Sequence, residues 1–158
     1  MTRPIAIVVG FIGKLPVAGM SLYNLHYIAG LQALGYEVHY VERQNVPSEC
    51  YDPRLNDSTD DPGYALSYLE RLMPQFGVPR GRFSFIDHEN RCHGSTWAEL
   101  RQVLSAADFV ITLADPSILN GAQSQGEIRR WIAEEYGDEA KLSAEERSKS
   151  TRLNSSHG

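Results

Sequence analysis

The sequence predicts an α/β protein with a mainly parallel sheet of at least four strands, in a Rossmann-like three-layer α/β/α arrangement. Ile5–Val9 is a continuous, β-branched apolar run, which is typical of a strand buried on both faces. A glycine-bearing loop, an amphipathic segment and a second apolar strand follow as far as Glu42. Strand, loop, helix and strand form a βαβ unit, which makes the sheet parallel and its crossover right-handed.

The first helix is predicted over residues 22–34, with Ser21 as its N-cap and Gly35 as its left-handed end. Apolar residues recur there at every third position and predict one broad buried face: Leu22, Leu25, Ile28, Leu31 and Leu34. The second strand begins at Val38 and continues through Val41.

Residues 43–61 are polar and rich in turn-forming residues, and they show no periodicity. A stretch of this length is either a functional loop or a locally mobile segment. Asp60 or Asp61 is then expected to cap a helix that has Pro62 in its first turn and ends at Gly77. Because Pro74 falls near its end, we expect the last turn to be distorted or unwound.

Two further strands complete the predicted sheet. Residues 82–86 alternate in polarity and form the third strand, and the apolar run 109–113 forms the fourth. Between them, Thr96 and Glu99 match a capping box, which predicts a helix that starts at Trp97 and ends near Ala106.

The chain divides into three segments. Residues 4–119 form the predicted domain, residues 120–148 a charged helical extension, and residues 149–158 a tail (KSTRLNSSHG) that we interpret as artefactual or disordered. The tail resembles the read-through of a sequencing-library adapter more than a protein family, so we exclude it from the fold prediction.

Composition narrows the class of partner. The 158-residue chain has a formal net charge of −5 at pH 7, which argues against nucleic acid or an anionic membrane surface as its main partner. No apolar run approaches the ~20 residues that a membrane span needs. Two cysteines make no disulfide framework and fit a reduced, cytoplasmic setting.

The first loop (residues 10–20, GFIGKLPVAGM) is long for a connection between a strand and a helix. It lies at the carboxyl edge of the predicted sheet, beside a helix N-terminus, where anions and ligands commonly bind. It contains neither GxGxxG nor GxxxxGK[ST], so it is either a ligand site of another kind or a plain connection. Candidate ligand-binding residues on this edge are Gly10, Gly13, Lys14, Gly19, Ser21, Glu42 and Asp115.

Glu42 ends the second strand, where a nucleotide-binding unit places an acid that binds ribose hydroxyls. It lies 29 residues after Gly13, however, which exceeds the ~20 typical of that role. The sequence therefore favours a solvated acid at the end of a strand.

His88 and His93 lie in a dense polar cluster directly after the third strand, and they are the candidate catalytic residues. A histidine on a site-forming edge suits a general base, because it titrates near neutral pH. Both residues also fit solvated loop histidines. The spacing from His88 to Cys92 and His93 matches no usual zinc pattern, so no metal site is expected.

Five segments of the sequence resemble the N-terminal domain of GT-B glycosyltransferases, in a little-characterised branch. The opening AIVVGFIGKLPVAGMSLYNLHYIAGLQALGYEVHYVE carries the glycine-bearing loop and the LGYEV ending of the first helix. The later pieces are YDP, TDDPGYALSYLERLMPQFG, RFSFID and AADFVITLADPS. The resemblance covers residues 4–119 and depends on the order and spacing of these pieces.

The resemblance implies an acceptor-binding half of an enzyme that transfers a sugar from a nucleotide-sugar co-substrate to an acceptor hydroxyl, without another cofactor. In such enzymes the nucleotide-sugar is held by a second domain, which needs roughly another 100–200 residues. The chain has no counterpart of that domain, so we expect an inactive fragment whose partners are a small-molecule or glycan acceptor and the missing C-terminal domain.

Two other functions stay open. A stand-alone Rossmann-like module would bind a nucleotide through Gly10, Gly13 and Glu42. A protein-interaction module would use residues 43–61 and the charged C-terminal extension.

Overall fold

A computed structural model describes residues 2–44 and 47–113 of the chain. The elements in chain order are β1 (Ile5–Val9), α1 (Ala18–Ala33), β2 (Glu37–Arg43), β3 (Cys50–Asp52), β4 (Asp57–Thr59), α2 (Gly63–Leu72), a 3-10 helix (Met73–Phe76), β5 (Phe83–Ile86), β6 (Cys92–His93), α3 (Trp97–Ala106) and β7 (Phe109–Thr112). Asp115, the charged extension and the tail lie outside the described residues.

A five-stranded sheet in the order β6-β5-β2-β1-β7 organises the described part of the chain. β1, β2, β5 and β7 are parallel to one another, and only β6 is antiparallel. The prediction of a mainly parallel sheet with at least four strands is therefore confirmed. β1 lies between β2 and β7, so the direction in which strands are added reverses at β1, and the ends of the four parallel strands meet at one carboxyl edge.

Separate apolar clusters cover the two faces of the sheet. Alternate residues of β1 divide between them: Ala6 and Val8 face the cluster that includes α1 and α2, whereas Ile7 and Val9 face the cluster that includes α3. This double coverage explains why β1 is a continuous apolar run without an alternating pattern.

The first helix begins earlier than predicted, and its buried face differs from the predicted one. α1 starts at Ala18 with Val17 as its N-cap, so the prediction of Ser21 as the cap was wrong. Leu22 is 51% exposed and Leu34 is 75% exposed. Steps of three residues fall about 60° short of a full turn, so a long stripe with that spacing drifts off any one face. The buried residues are Ser21, Asn24, Leu25, Ile28 and Leu31.

The polar stretch after β2 contains a two-stranded antiparallel hairpin, β3–β4, that the sequence did not reveal. Its strands have three residues each, and Asn56 in the turn has φ 52°. Cys50 and Asp52 are buried. The backbone N–H of Tyr51 donates to the carbonyl of Lys14 at 2.9 Å, which joins the hairpin to the first loop.

Local signals placed the later elements well. The last turn of the second helix is a 3-10 helix at Pro74, and Gly77 adopts φ 76°, as expected. The N-cap of α2 is Pro62, so the prediction of Asp60 or Asp61 as the cap was wrong, although Asp61 Oδ1 accepts the N–H of Gly63 at 2.8 Å. α3 has the predicted bounds. The short strand β6 was not predicted, and no helix among the described residues is long and apolar enough to cross a membrane.

Candidate functional site

The backbone of the first loop is hydrogen-bonded to the side chain of Glu42, which is fully buried beneath it. Its Oε2 accepts the N–H of Gly13 at 2.9 Å and the hydroxyl of Tyr40 at 2.6 Å, and its Oε1 accepts the N–H of Lys14 at 2.5 Å. The Tyr40 hydroxyl in turn accepts the N–H of Ile12 at 2.9 Å. Three consecutive backbone amides of the loop therefore already have partners within the protein.

The prediction that Glu42 is a solvated acid was wrong, because the loop folds over it. Burial raises the pKa of Glu42, although the hydrogen bonds from Tyr40 and Gly13 act in the opposite direction. These hydrogen bonds give the Glu42 carboxylate a structural role, which is to position the first loop. Its contacts explain its place at the end of β2 without any ribose.

The three candidate glycines have different surroundings: Gly10 and Gly13 lie in the first loop, whereas Gly19 lies in α1. A Cβ at Gly10 would lie 2.2 Å from Asn24 Oδ1 and 2.7 Å from the Tyr40 ring. One at Gly13 would lie 3.0 Å from Leu69 Cδ1 and 3.3 Å from Glu42 Oε1. Gly19 has open space around it. Close packing therefore accounts for Gly10 and Gly13, and no such constraint acts at Gly19.

Lys14 and Ser21 also bond within the protein. The Lys14 ammonium lies 3.0 Å from Glu49 Oε1, with only 11% of its side chain exposed. The Ser21 hydroxyl lies 2.9 Å from that of Tyr68 and joins α1 to α2. Both contacts give these residues a structural role at the positions where we expected a ligand.

A second polar group surrounds Asp87, which directly follows β5 at the carboxyl edge. The buried Asp87 carboxylate accepts four hydrogen bonds. Its Oδ1 accepts the N–H groups of Glu89 at 3.0 Å and Arg91 at 2.9 Å, and its Oδ2 accepts Arg91 Nε and His93 Nε2, each at 2.8 Å. Burial opposes ionisation of Asp87, but the bonds from His93 and Arg91 outweigh it and lower its pKa to about 2.

His93 and His88 differ in how their ring nitrogens are used. His93 is 32% exposed, and its Nδ1 has no hydrogen-bond partner among the described residues. His88 Nδ1 lies 3.3 Å from Gln44 Oε1, and its Nε2 lies 3.9 Å from Glu89 Oε1. His93 is thus the better placed of the two predicted histidines to exchange a proton with a ligand.

A cleft of about 350 Å³ opens beside the edge strand β6. It lies between α2, which contributes Leu66 and Glu70, and the start of α3, which contributes Glu99. His93 is part of its wall. His93, which the buried Asp87 carboxylate orients, is therefore exposed to a polar cleft that solvent can enter.

The two cysteines do not supply a reactive thiolate. Burial raises the pKa of Cys50 to about 12, and burial also raises the pKa of Cys92. Both thiols are therefore protonated near neutral pH. In the described part of the chain, no group of three or more His, Cys, Asp or Glu side chains could hold a metal ion.

The predicted site residues thus fall into two groups. Gly13 and Lys14 each donate a backbone N–H to Glu42, and His93 bonds to Asp87, which was not among the predicted site residues. Sequence reasoning missed Asp87, although an acid directly after a strand and six residues before a histidine was a usable signal. Comparisons of the chain with protein-family models, with curated proteins and with solved structures gave no match.

Proposed function

We propose that the chain is the acceptor-binding half of a GT-B glycosyltransferase-like protein, with His93 as the base that receives the proton of an acceptor hydroxyl. The observation that carries this proposal is the pair formed by the buried Asp87 and the part-exposed His93, 2.8 Å apart at the carboxyl edge of the sheet. Open α/β sheets bind their ligands at this edge, most often at the switch point, which here is β1. The pair lies on the same edge at the end of β5, two strands from β1.

The sheet supports the same assignment at the level of the fold. Parallel strands in the order β5-β2-β1-β7, with helices on both faces, fit a Rossmann-like three-layer domain. The resemblance described above adds the sugar-transfer chemistry. A separate domain would hold the nucleotide-sugar.

In the proposed reaction, His93 takes the proton of the acceptor hydroxyl as its oxygen bonds to the anomeric carbon of the donor sugar. The bond from that carbon to the phosphate oxygen breaks, and the electron pair leaves with the nucleoside diphosphate. The Asp87 carboxylate stabilises the imidazolium that forms, since the two groups are hydrogen-bonded.

The proposal is tested by offering the purified chain a panel of glycosides and nucleotide-sugars. We expect glycoside binding by NMR titration and no product by mass spectrometry, because in the proposed function a separate domain holds the nucleotide-sugar. Sugar transfer by the chain alone would show that it is not a half enzyme. Binding of nucleotide-sugars without any binding of glycosides would remove the acceptor assignment.

A nucleotide-binding module is less well supported by the first loop. The amides that would bind a phosphate already bond to Glu42 and Tyr40, and the Lys14 ammonium lies against Glu49. Calorimetry with NAD, FAD and nucleoside diphosphates separates the two functions. Micromolar binding of any of these compounds would favour the nucleotide module.

A protein-interaction module is the second candidate, because α1 exposes several large apolar side chains. Met20, Leu22, Tyr23 and Tyr27 are each 40–51% exposed. Such a face promotes association when it is contiguous. Sedimentation at rising concentration tests this function, and a monomer at every concentration would count against self-association through this face.

A further inference from the structure

The tautomer of a neutral His93 ring follows from its hydrogen-bond partner. Asp87 is ionised above a pH of about 2 and can then only accept hydrogen bonds. The His93 nitrogen 2.8 Å from it, Nε2, must therefore carry a proton. In the neutral imidazole this leaves the lone pair on Nδ1, which has no partner among the residues that the structure describes.

Asp87 is fixed firmly enough to orient the ring. Its carboxylate accepts two backbone N–H groups and the Arg91 guanidinium besides His93. The backbone closes around it as well, since Asp87 N–H donates to the Arg91 carbonyl at 3.0 Å and Asn90 adopts φ 65°. Asp87 therefore acts as a positioning residue, and His93 is the group that would meet a ligand.

The cleft beside β6 has walls suited to a small hydroxylated compound. Its volume of about 350 Å³ lies at the lower end of the range for ligand sites. Leu66 supplies apolar surface above the buried Phe83, and Glu70, Glu99 and Arg80 supply polar groups. This combination matches a sugar ring, which has apolar C–H faces and a rim of hydroxyl groups.

The charges in the wall select against anions. Glu70 and Glu99 place two carboxylates beside the cleft, and Arg80, 78% exposed, lies 4.0 Å from Glu70. The guanidinium pairs with Glu70, and the Glu99 carboxylate caps α3 by accepting the Thr96 N–H at 2.7 Å, so the wall has one more carboxylate than it has guanidinium groups. We therefore expect a phosphorylated ligand to bind less well than a neutral or amine-bearing compound.

We propose that the cleft beside β6 binds a neutral or amine-bearing polyhydroxy compound and that His93 Nδ1 accepts a hydrogen bond from one of its hydroxyl groups. Binding breaks no bond: the hydroxyl group keeps its proton, and the neutral ring stays hydrogen-bonded to Asp87 through Nε2. The identity of this compound as a sugar acceptor rests on the proposed function. The cleft, the tautomer of His93 and the preference for an uncharged or cationic ligand are argued independently of that function.

The tautomer can be read directly from nitrogen-15 NMR of the histidine rings in the whole chain. We expect neutral His93 to carry its proton on Nε2 and to lose this preference in Asp87→Asn. The wild-type spectrum decides the point even if Asp87→Asn fails to fold. A proton on Nδ1 in the wild type would overturn the inference.

The ligand class is tested by titrating the chain with methyl glucoside, glucosamine and glucose 6-phosphate. We expect the first two to shift the His93 ring signals at millimolar concentration, and the phosphate ester to bind at least tenfold more weakly. The exposed His26 provides the matched control, because His26→Ala should leave the titration unchanged whereas His93→Ala should remove or displace it.

Two results would contradict the ligand assignment. One is stronger binding of the phosphate ester, and the other is binding of the sugars that leaves the His93 signals unmoved. Neither measurement needs a nucleotide-sugar. A failure to observe sugar transfer with these results intact would therefore count against the proposed function alone.

Discussion

At the residue scale, Glu42 shows how one side chain can organise a loop 29 residues away. Its carboxylate replaces the water that three donors would otherwise need, so its own burial is compensated by hydrogen bonds. The sequence placed Glu42 at the end of a strand but could not indicate its burial. That depends on how the first loop folds over β2, which is not a local property.

We expect Glu42→Ala to lower the free energy of unfolding by about 3 kcal/mol, because it leaves the N–H groups of Gly13 and Lys14 and the Tyr40 hydroxyl without their acceptor. Urea denaturation followed by circular dichroism measures the change. The exposed Glu70 provides a control, since Glu70→Ala should change stability by less than about 0.5 kcal/mol. Equal effects of the two substitutions would contradict the structural role of Glu42.

Asp87 links stability to acid pH. Its pKa falls from 3.8 in the unfolded chain to about 2 in the folded protein, so its contribution is complete above about pH 4 and is lost as the pH falls toward 2. We expect it to amount to roughly 1–2 kcal/mol. Denaturation of the wild type and Asp87→Asn from pH 6 to pH 2 should show the two stabilities converging, whereas Asp57→Asn should retain the wild-type slope.

At the element scale, the bounds of a helix or strand were predicted accurately where residues close together in the sequence determine them. The capping box of Thr96 and Glu99 fixes the start of α3 within four residues, and it was found from the sequence. α1 has no side-chain cap at Val17, so its true start left no such signal. β6 has two residues and β3 and β4 have three each, too short for a period of two to be recognised.

The capping box gives a prediction for α3. Thr96 Oγ1 accepts the Glu99 N–H at 3.1 Å, and Glu99 Oε2 accepts the Thr96 N–H at 2.7 Å. We expect Thr96→Ala to lower the free energy of unfolding by about 1 kcal/mol, because one end of this exchange is lost. Ser105→Ala, at the other end of the same helix, should have a smaller effect in the same denaturation experiment. The reverse order would rule out the cap as a source of stability.

At the scale of the whole molecule, stability is concentrated around β1. It pairs with β2 on one side and β7 on the other, and residues 6–9 are fully buried. The hairpin β3–β4 has only its own two strands, and β4 is largely exposed. The βαβ pattern predicted this centre from the sequence, because a doubly buried parallel strand has a distinctive apolar run.

Amide hydrogen exchange should reveal this difference. We expect the amides of β1 to exchange roughly 100-fold or more slowly than those of β4, since β1 opens only with the sheet and β4 opens locally. Exchange measured by NMR at a fixed pH gives both rates in one sample. Similar protection of the two strands would indicate that the hairpin and the sheet unfold as one unit.

The contacts of Glu42 have a thermodynamic consequence for the first loop. A loop whose backbone amides lack partners until a phosphate binds becomes ordered only on binding, so its folding is linked to the concentration of the ligand. Here the chain carries its own carboxylate into that position, and the loop is complete before any ligand binds. The order of this loop therefore does not depend on the concentration of a ligand.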